Sequence, residues 1–238
     1  MGKQVNLLVL ANSKKPGGRC LAGRLIEKLD DGWKTGAWCR PLCPNDKGRD
    51  AIPESACGTV NPMDVISLEL GDDMPADGQP ENCLWMTGTP ISIMHAFNKK
   101  ENALRKLVEC PENLWLDPDA SRPDEVSSEI AIDHSLVLIQ PANLRFELYF
   151  DDSGRKRIQA YFAYNGGLYE RIPVTDPLIF RILSRQFIEG EHKILSLNHG
   201  DNYWLTMSIS LPFGPRQCRY KFVAAVIDHT GYLQREYR

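Results

Sequence analysis

From Leu144 to Phe150 the apolar residues Leu144, Phe146, Leu148 and Phe150 alternate with Arg145, Glu147 and Tyr149. This is the period-two pattern of a half-buried strand. The turn residues Asp152-Ser153-Gly154-Arg155 follow, and the alternation resumes with Ile158, Ala160, Phe162 and Tyr164 on one face. Asn165-Gly166 then supplies the two positive-φ positions of a tight hairpin. Leu168 to Val174 reads as a third strand, so 144–174 predicts a meander. Thr175-Asp176-Pro177 opens a helix, with Asp176 placed to cap it and Pro177 at a position whose N–H has no helical partner. Leu178, Ile179, Ile182, Leu183 and Phe187 supply its apolar stripe, and Gly190 is the expected stop. Strands return at 203–211 and 218–227. Five strands and one helix in about 100 residues suit a small closed or partly open barrel.

The first half is less regular but similar in content. Leu7 to Leu10 reads as a buried strand, and Trp38 to Leu42 as another with Trp38 and Arg40 on one face. Ile66, Leu68 and Leu70 alternate with Val65, Ser67 and Glu69, and Leu84-Trp85-Met86 is a short buried strand. In 20–30, Leu21, Leu25, Ile26 and Leu29 fit a helical face as well as a continuing strand, and strand is the expectation. Asn98 with Glu101 resembles a capping box and leads into Ala103, Leu104, Leu107 and Val108. Pro111 to Asp133 is acidic and holds three prolines, so it reads as a connector. The expected fold is mainly β (β-rich α+β): a first barrel half over 1–94, a helix and acidic connector over 95–133, and a second barrel half over 134–238. No repeat shows by residue identity, so any duplication is structural.

No stretch approaches the roughly 18 apolar residues that a membrane span requires. The run Val5 to Ala11 makes a poor export signal and a good first strand. Asn6 stands where an N-myristoylation motif prefers Ser or Thr. Seven cysteines, an odd number, then point to free thiols in a reducing cytoplasm. Zinc has little support: C-x-x-C is absent, and the closest pair, Cys39 and Cys43, encloses Pro41. The net charge of −3 is unevenly spread: +6 over 1–49, −12 over 50–133 and +3 over 134–238. Fields in salt fall off over roughly 10 Å, so a polyanion responds to the two basic ends rather than to the total.

The segment 11–23 leaves a strand and packs Lys14, Lys15 and Arg19 around Gly17 and Gly18. Glycines let main-chain N–H groups turn toward an anion, and the cations add charge; a plain surface loop has the same composition. The P-loop pattern G-x-x-x-x-G-K-[ST] is missing. On the outer face of the meander, Arg145 and Tyr149 share a side of one strand, and Arg157 and Tyr161 a side of the next. Rings beside guanidinium groups bind single strands by stacking bases and meeting phosphates, although strand propensity also favours Tyr and Arg on a solvated sheet. Arg40 is a further phosphate candidate, or a cover for Trp38. Arg219 and Lys221 add charge on the last strand.

Five sets of residues, ANSKKPGGRCLAG at 11–23, WCRPL at 38–42, QPENCLW at 79–85, VTDP at 174–177 and SISLPFG…CRYKFVAAVI at 208–227, together resemble the dual OB-containing domain family. The resemblance runs almost end to end. It implies two OB-like barrels joined by a helical connector, a prokaryotic source, and an association with mobile elements and defence against phage and plasmids. It carries no catalytic residues, and Arg19, Trp38, Arg40 and Asp176 enter only as motif positions. Cys39 stands where the family pattern is more apolar. G-x-S-x-G, H-E-x-x-H and G-x-G-x-x-G are all missing, and His199-Gly200-Asp201 lacks metal-binding spacing. The expectation is a non-enzymatic, cytoplasmic module that binds RNA or single-stranded DNA, with no cofactor, no metal and no membrane partner. Two rivals remain open: an adaptor or sensor that meets a protein through the acidic middle, and a small-molecule or nucleotide-signal binder using the Gly-rich loop.

Overall fold

The computed structural model describes the chain apart from residues 1, 31, 45–49, 97–99, 186–193, 196–201, 229–232 and 234–238. Five strands make a first ring: β1 (Lys3–Lys15), β2 (Gly18–Leu29), β3 (Gly32–Leu42), β4 (Asp64–Asp73) and β5 (Asn82–Trp85). The short helix α1 (Glu54–Cys57) lies between β3 and β4, and β6 (Ser92–Ala96) is added outside β4. Antiparallel pairing joins β1 to β2 and β4, β2 to β3, and β4 to β5, while β3 closes on β5 in parallel. The order 1-2-3-5-4-1 is that of an OB barrel. Residues 20–29 are strand, as expected for this stretch.

After α2 (Lys100–Leu107) come β7 (Glu125–Val126), β8 (Leu136–Ile139), β9 (Ala142–Phe150), β10 (Lys156–Tyr164), β11 (Gly167–Pro173), α3 (Pro177–Ser184), β12 (Ile194–Leu195), β13 (Tyr203–Ile209) and β14 (Arg219–Asp228). Strands β8 and β9 follow one another across Gln140-Pro141 and act as one bent first strand. β8 pairs with β13, β9 with β10, β10 with β11, and β13 with β14. A parallel bridge between Val174 and Val223 closes the second ring, with Thr175 N donating to Val223 O at 2.9 Å. This is the same order, again with a helix between the third and fourth strands, so the duplication is structural. Asp176 caps α3 as predicted: its Oδ1 accepts from Leu178 N at 2.7 Å, and its Oδ2 accepts from Val226 N of β14 at 2.9 Å. Gly190 and Asn98, assigned above as a helix stop and a cap, lie outside the described residues.

The halves are not joined by a loose connector. Leu7 and Val9 fill the first barrel, whereas Leu8, Leu10, Ile26 and Val65 face outward and pack with Leu138, Trp204 and Ile227 of the second. Ala11 and Ala22 meet Leu136, Ala224 and Ala225, small residues that let the sheets approach. Leu104 and Leu107 of α2 join the same seam. Two polar side chains bridge the halves there: Thr206 Oγ1 donates to Leu10 O at 2.6 Å, and Gln79 Nε2 to Ile209 O at 3.0 Å. Residues 111–133 wrap the second barrel, with Leu114 and Trp115 in its core.

Two arginines cross the seam in opposite directions. Arg40 of β3, 2% exposed, pairs with Glu81 at 3.1 Å and donates to Ser135 Oγ of the second half at 2.7 Å. Arg219 of β14, 1% exposed, pairs with Asp77 of the β4–β5 loop and donates to the carbonyls of Ser127, Ser128 and Ile130. Removing one partner of a buried pair leaves the other charge or its acceptors stranded. Arg40→Ala, which strands the buried Glu81 side chain, should therefore cost about 3–5 kcal/mol in urea unfolding, well above the roughly 1 kcal/mol of a surface pair. A loss below 1 kcal/mol would contradict this placement.

Burial also holds the Cys57 thiol up to about 12, against an ordinary value near 9. The unfolded thiol ionises first, so stability is intact below pH 9 and declines as pH rises toward the folded value. Cys57 should account for on the order of 2 kcal/mol of lost stability between pH 8 and 10.5. Cys57→Ala should make the alkaline decline shallower by that amount in denaturant titrations; an unchanged slope would contradict it.

Candidate nucleic-acid interface

The Gly-rich segment is a β-hairpin rather than an open anion cradle. Lys15 is opposite Gly18, and Pro16-Gly17 forms the turn, Gly17 having φ +94° as its second position requires. Gly18 is needed because Ile52 O lies 2.2 Å from where a Cβ would sit, and Arg19 and Ile52 exchange main-chain hydrogen bonds there. The hairpin leans on α3. Lys14 Nζ lies 4.5 Å over the Phe180 ring, and burial, then repulsion from Arg19, lower its pKa. Lys15 pairs with Asp50, and the buried Arg19 pairs with Glu54. The cations expected to meet phosphate here have protein partners.

Arg40, Arg219 and Lys221 correct the reading in the same way. All three are buried, the two arginines in the seam and Lys221 donating to Pro123 O at 3.1 Å, with its pKa lowered by burial. The sequence places them on strands but does not show that a second barrel covers those strands. Trp38 is covered by Arg24, whose guanidinium lies 5.6 Å from the ring centre, rather than by Arg40. Glu109 accepts from the Trp38 indole N–H at 3.0 Å.

The outer face of the meander does assemble as predicted. Across β9 and β10, Tyr149 lies opposite Arg157, Glu147 opposite Gln159, and Arg145 opposite Tyr161. Arg145 and Arg157 are exposed and the two tyrosines half-buried, while Phe146, Leu148, Ile158, Ala160 and Phe162 point into the core beneath. Arg157 Nε donates to Asp151 Oδ2 at 2.8 Å. Asp151 also accepts from Ser153 and the Arg155 N–H, and these bonds hold its carboxyl far below the usual range. Glu147 sits at the centre, accepting from the Tyr161 hydroxyl and from Gln159 Nε2 at 2.7 Å. Burial raises both tyrosine pKa values, so the phenols are neutral near pH 7.

Two cations at this face escaped the sequence reading. Arg171 places its charge near Tyr161 and sits in a bulge of β11, at φ +54°. Its signal was the three-residue spacing between the inward residues Tyr169 and Ile172. Arg122 of the connector brings charge near Tyr149 and also pairs with Asp124 at 3.0 Å; nothing local in the sequence points to it. Residues 142–173 carry five Lys/Arg and four Asp/Glu, so ring stacking rather than net charge dominates what this face offers a ligand.

Among the described residues, no three His, Cys, Asp or Glu side chains gather as a metal-ligating group. No helix among them is long and apolar enough to cross a membrane.

Two five-stranded rings of one topology, fused face to face, define a double OB-type protein. The sequence profile of the dual OB-containing domain matches residues 5–226, a span that includes both rings, and the chain belongs to that family. No curated protein and no solved structure gives a significant match.

Proposed function

We propose that this chain is a non-catalytic nucleic-acid-binding module that takes single-stranded RNA or DNA across the outer face of β9, β10 and β11. The observation that carries this reading is the pair of cross-strand Arg–Tyr register partners, Arg157 opposite Tyr149 and Arg145 opposite Tyr161, on the exposed side of an OB-type sheet. In OB folds the second and third strands carry oligonucleotides, and β10 and β11 hold those places in the second ring. The first barrel is the poorer candidate. Its β1–β2 hairpin leans on α3, and its β4–β5 loop supplies Asp77, Gln79 and Glu81 to the seam. The defence role implied by the family resemblance and the cytoplasmic setting read from the cysteines belong to the same proposal.

Fluorescence anisotropy with labelled 20-residue oligo(dT), oligo(rU) and a duplex, across 50–200 mM salt, tests it. Single strands should bind with a shallow salt dependence, and Arg145→Ala with Arg157→Ala should reduce the log–log slope by about 1–2. Tyr149→Ala should weaken single strands about fivefold or more with little change in slope. Lys14→Gln with Lys15→Gln should alter neither. Absence of binding at low salt, or equal loss for duplex and single strand in Tyr149→Ala, would refute the reading.

A further inference from the structure

The first barrel closes where β3 and β5 run parallel, with Pro41 opposite Cys83 and Arg40 opposite Asn82. On the inner side of this junction the Sγ atoms of Cys39 and Cys83 lie 2.7 Å apart. A covalent S–S bond measures about 2.05 Å, so the sulfurs stand only roughly 0.7 Å beyond bonding distance. The other two buried core cysteines have different neighbours: Cys57 faces Pro53 O at 3.5 Å and Cys43 faces Thr87 Oγ1 at 3.7 Å.

We propose that Cys39 and Cys83 are a dithiol–disulfide pair, a covalent clip across the parallel closure of the first barrel, oxidised by a low-molecular-weight disulfide of the glutathione kind. The thiolate of one cysteine attacks a sulfur of the oxidised glutathione and expels one glutathione thiolate, leaving a mixed disulfide. The second cysteine's thiolate then attacks the protein sulfur of that intermediate and expels the other glutathione. The two protein thiols give up two electrons and two protons, and one glutathione disulfide becomes two glutathione thiols.

The same geometry sets when the exchange takes place. Both cysteines are nearly buried in the finished barrel, and the neighbouring thiol and burial push the Cys39 pKa upward. Thiolate and access are both scarce once the ring has closed, so the clip forms as β5 docks beside β3. An adjacent residue on each strand belongs to the inter-barrel seam: Arg40 Nη1 donates to Asn82 Oδ1 at 3.2 Å, while Arg40 also reaches Glu81 and Ser135. A bond between Cys39 and Cys83 fixes the spacing of the strands that hold Arg40 in place. Redox state is thereby tied to the grip of one barrel on the other.

The test refolds the full chain from urea into dithiothreitol or into a mixture of reduced and oxidised glutathione, followed by N-ethylmaleimide trapping, digestion and mass spectrometry. The glutathione sample should yield one cross-linked peptide joining Cys39 to Cys83, with the other five cysteines alkylated. Its melting midpoint should lie about 5–15 °C above that of the reduced protein. Dithiothreitol should abolish the increment, and Cys83→Ser should lack it in both buffers. Where refolding yields aggregate, cell-free synthesis in the same two buffers gives the same readout without the variant. Full alkylation of Cys39 and Cys83 in the glutathione sample, a cross-link joining other cysteines, or a cross-linked form that melts no higher than the reduced one would overturn the proposal.

Discussion

The structure depends on two guanidinium groups buried where no water reaches them. Arg40 reaches from the first barrel into the second, and Arg219 from the second into the first. A buried charge is tolerable only when its partners are in place, and those partners lie on the far side of the seam or on segments packed against it. Arg40 keeps Glu81 and Asn82 in its own barrel but draws Ser135 from the second, and Arg219 takes its carboxylate, Asp77, from the first. The arrangement ties the burial of both arginines to the docking of one barrel on the other.

The charge pattern along the chain acquires its meaning here. Lys15, Arg19, Arg24 and Arg40 from the basic start pair with Asp50, Glu54, Glu109 and Glu81, and Arg216 and Arg219 from the basic end pair with Glu125 and Asp77. Every carboxylate in that set belongs to the acidic middle. Part of the segregated charge is thus an internal matching of the ends to the middle, while Asp72, Asp73, Glu112, Asp119, Glu129 and Asp133 stay exposed. The Arg–Tyr face of β9 and β10 faces outward as well, modest in charge and carrying two tyrosine rings.

Much of the second barrel was legible because alternation reports which face is buried. Phe146, Leu148, Ile158 and Ala160 line the core as their period implies, and Asn165-Gly166 makes its hairpin with both residues at positive φ. The strand 203–211 also alternates, but its polar side does not face water: Thr206 is fully buried with its hydroxyl on Leu10 O. A hydroxyl satisfied by another barrel looks, in sequence, like one satisfied by solvent. The run Leu7 to Leu10 carried the complementary signal, since a continuous apolar stretch in an antiparallel sheet means both faces are covered. In β2 the helix-like spacing of Leu21 and Ile26 has the same origin, one facing the barrel interior and the other the seam. The site residues Arg145, Tyr149, Arg157 and Tyr161 were legible because strand period alone brings them together. Arg40, Arg219 and Lys221 were misjudged because their burial depends on contacts distant in sequence.

Native-state hydrogen exchange tests the claim of a single fused unit most directly. If the seam makes the barrels mutually dependent, the slowest amides of β1 in the first ring and of β14 in the second exchange through one common opening. They then share a free energy and a denaturant dependence, as members of one cooperative unit do. Exchange of β1 through an opening that leaves β14 protected, with a smaller denaturant dependence, would show that the second barrel stands without the first and would contradict the account.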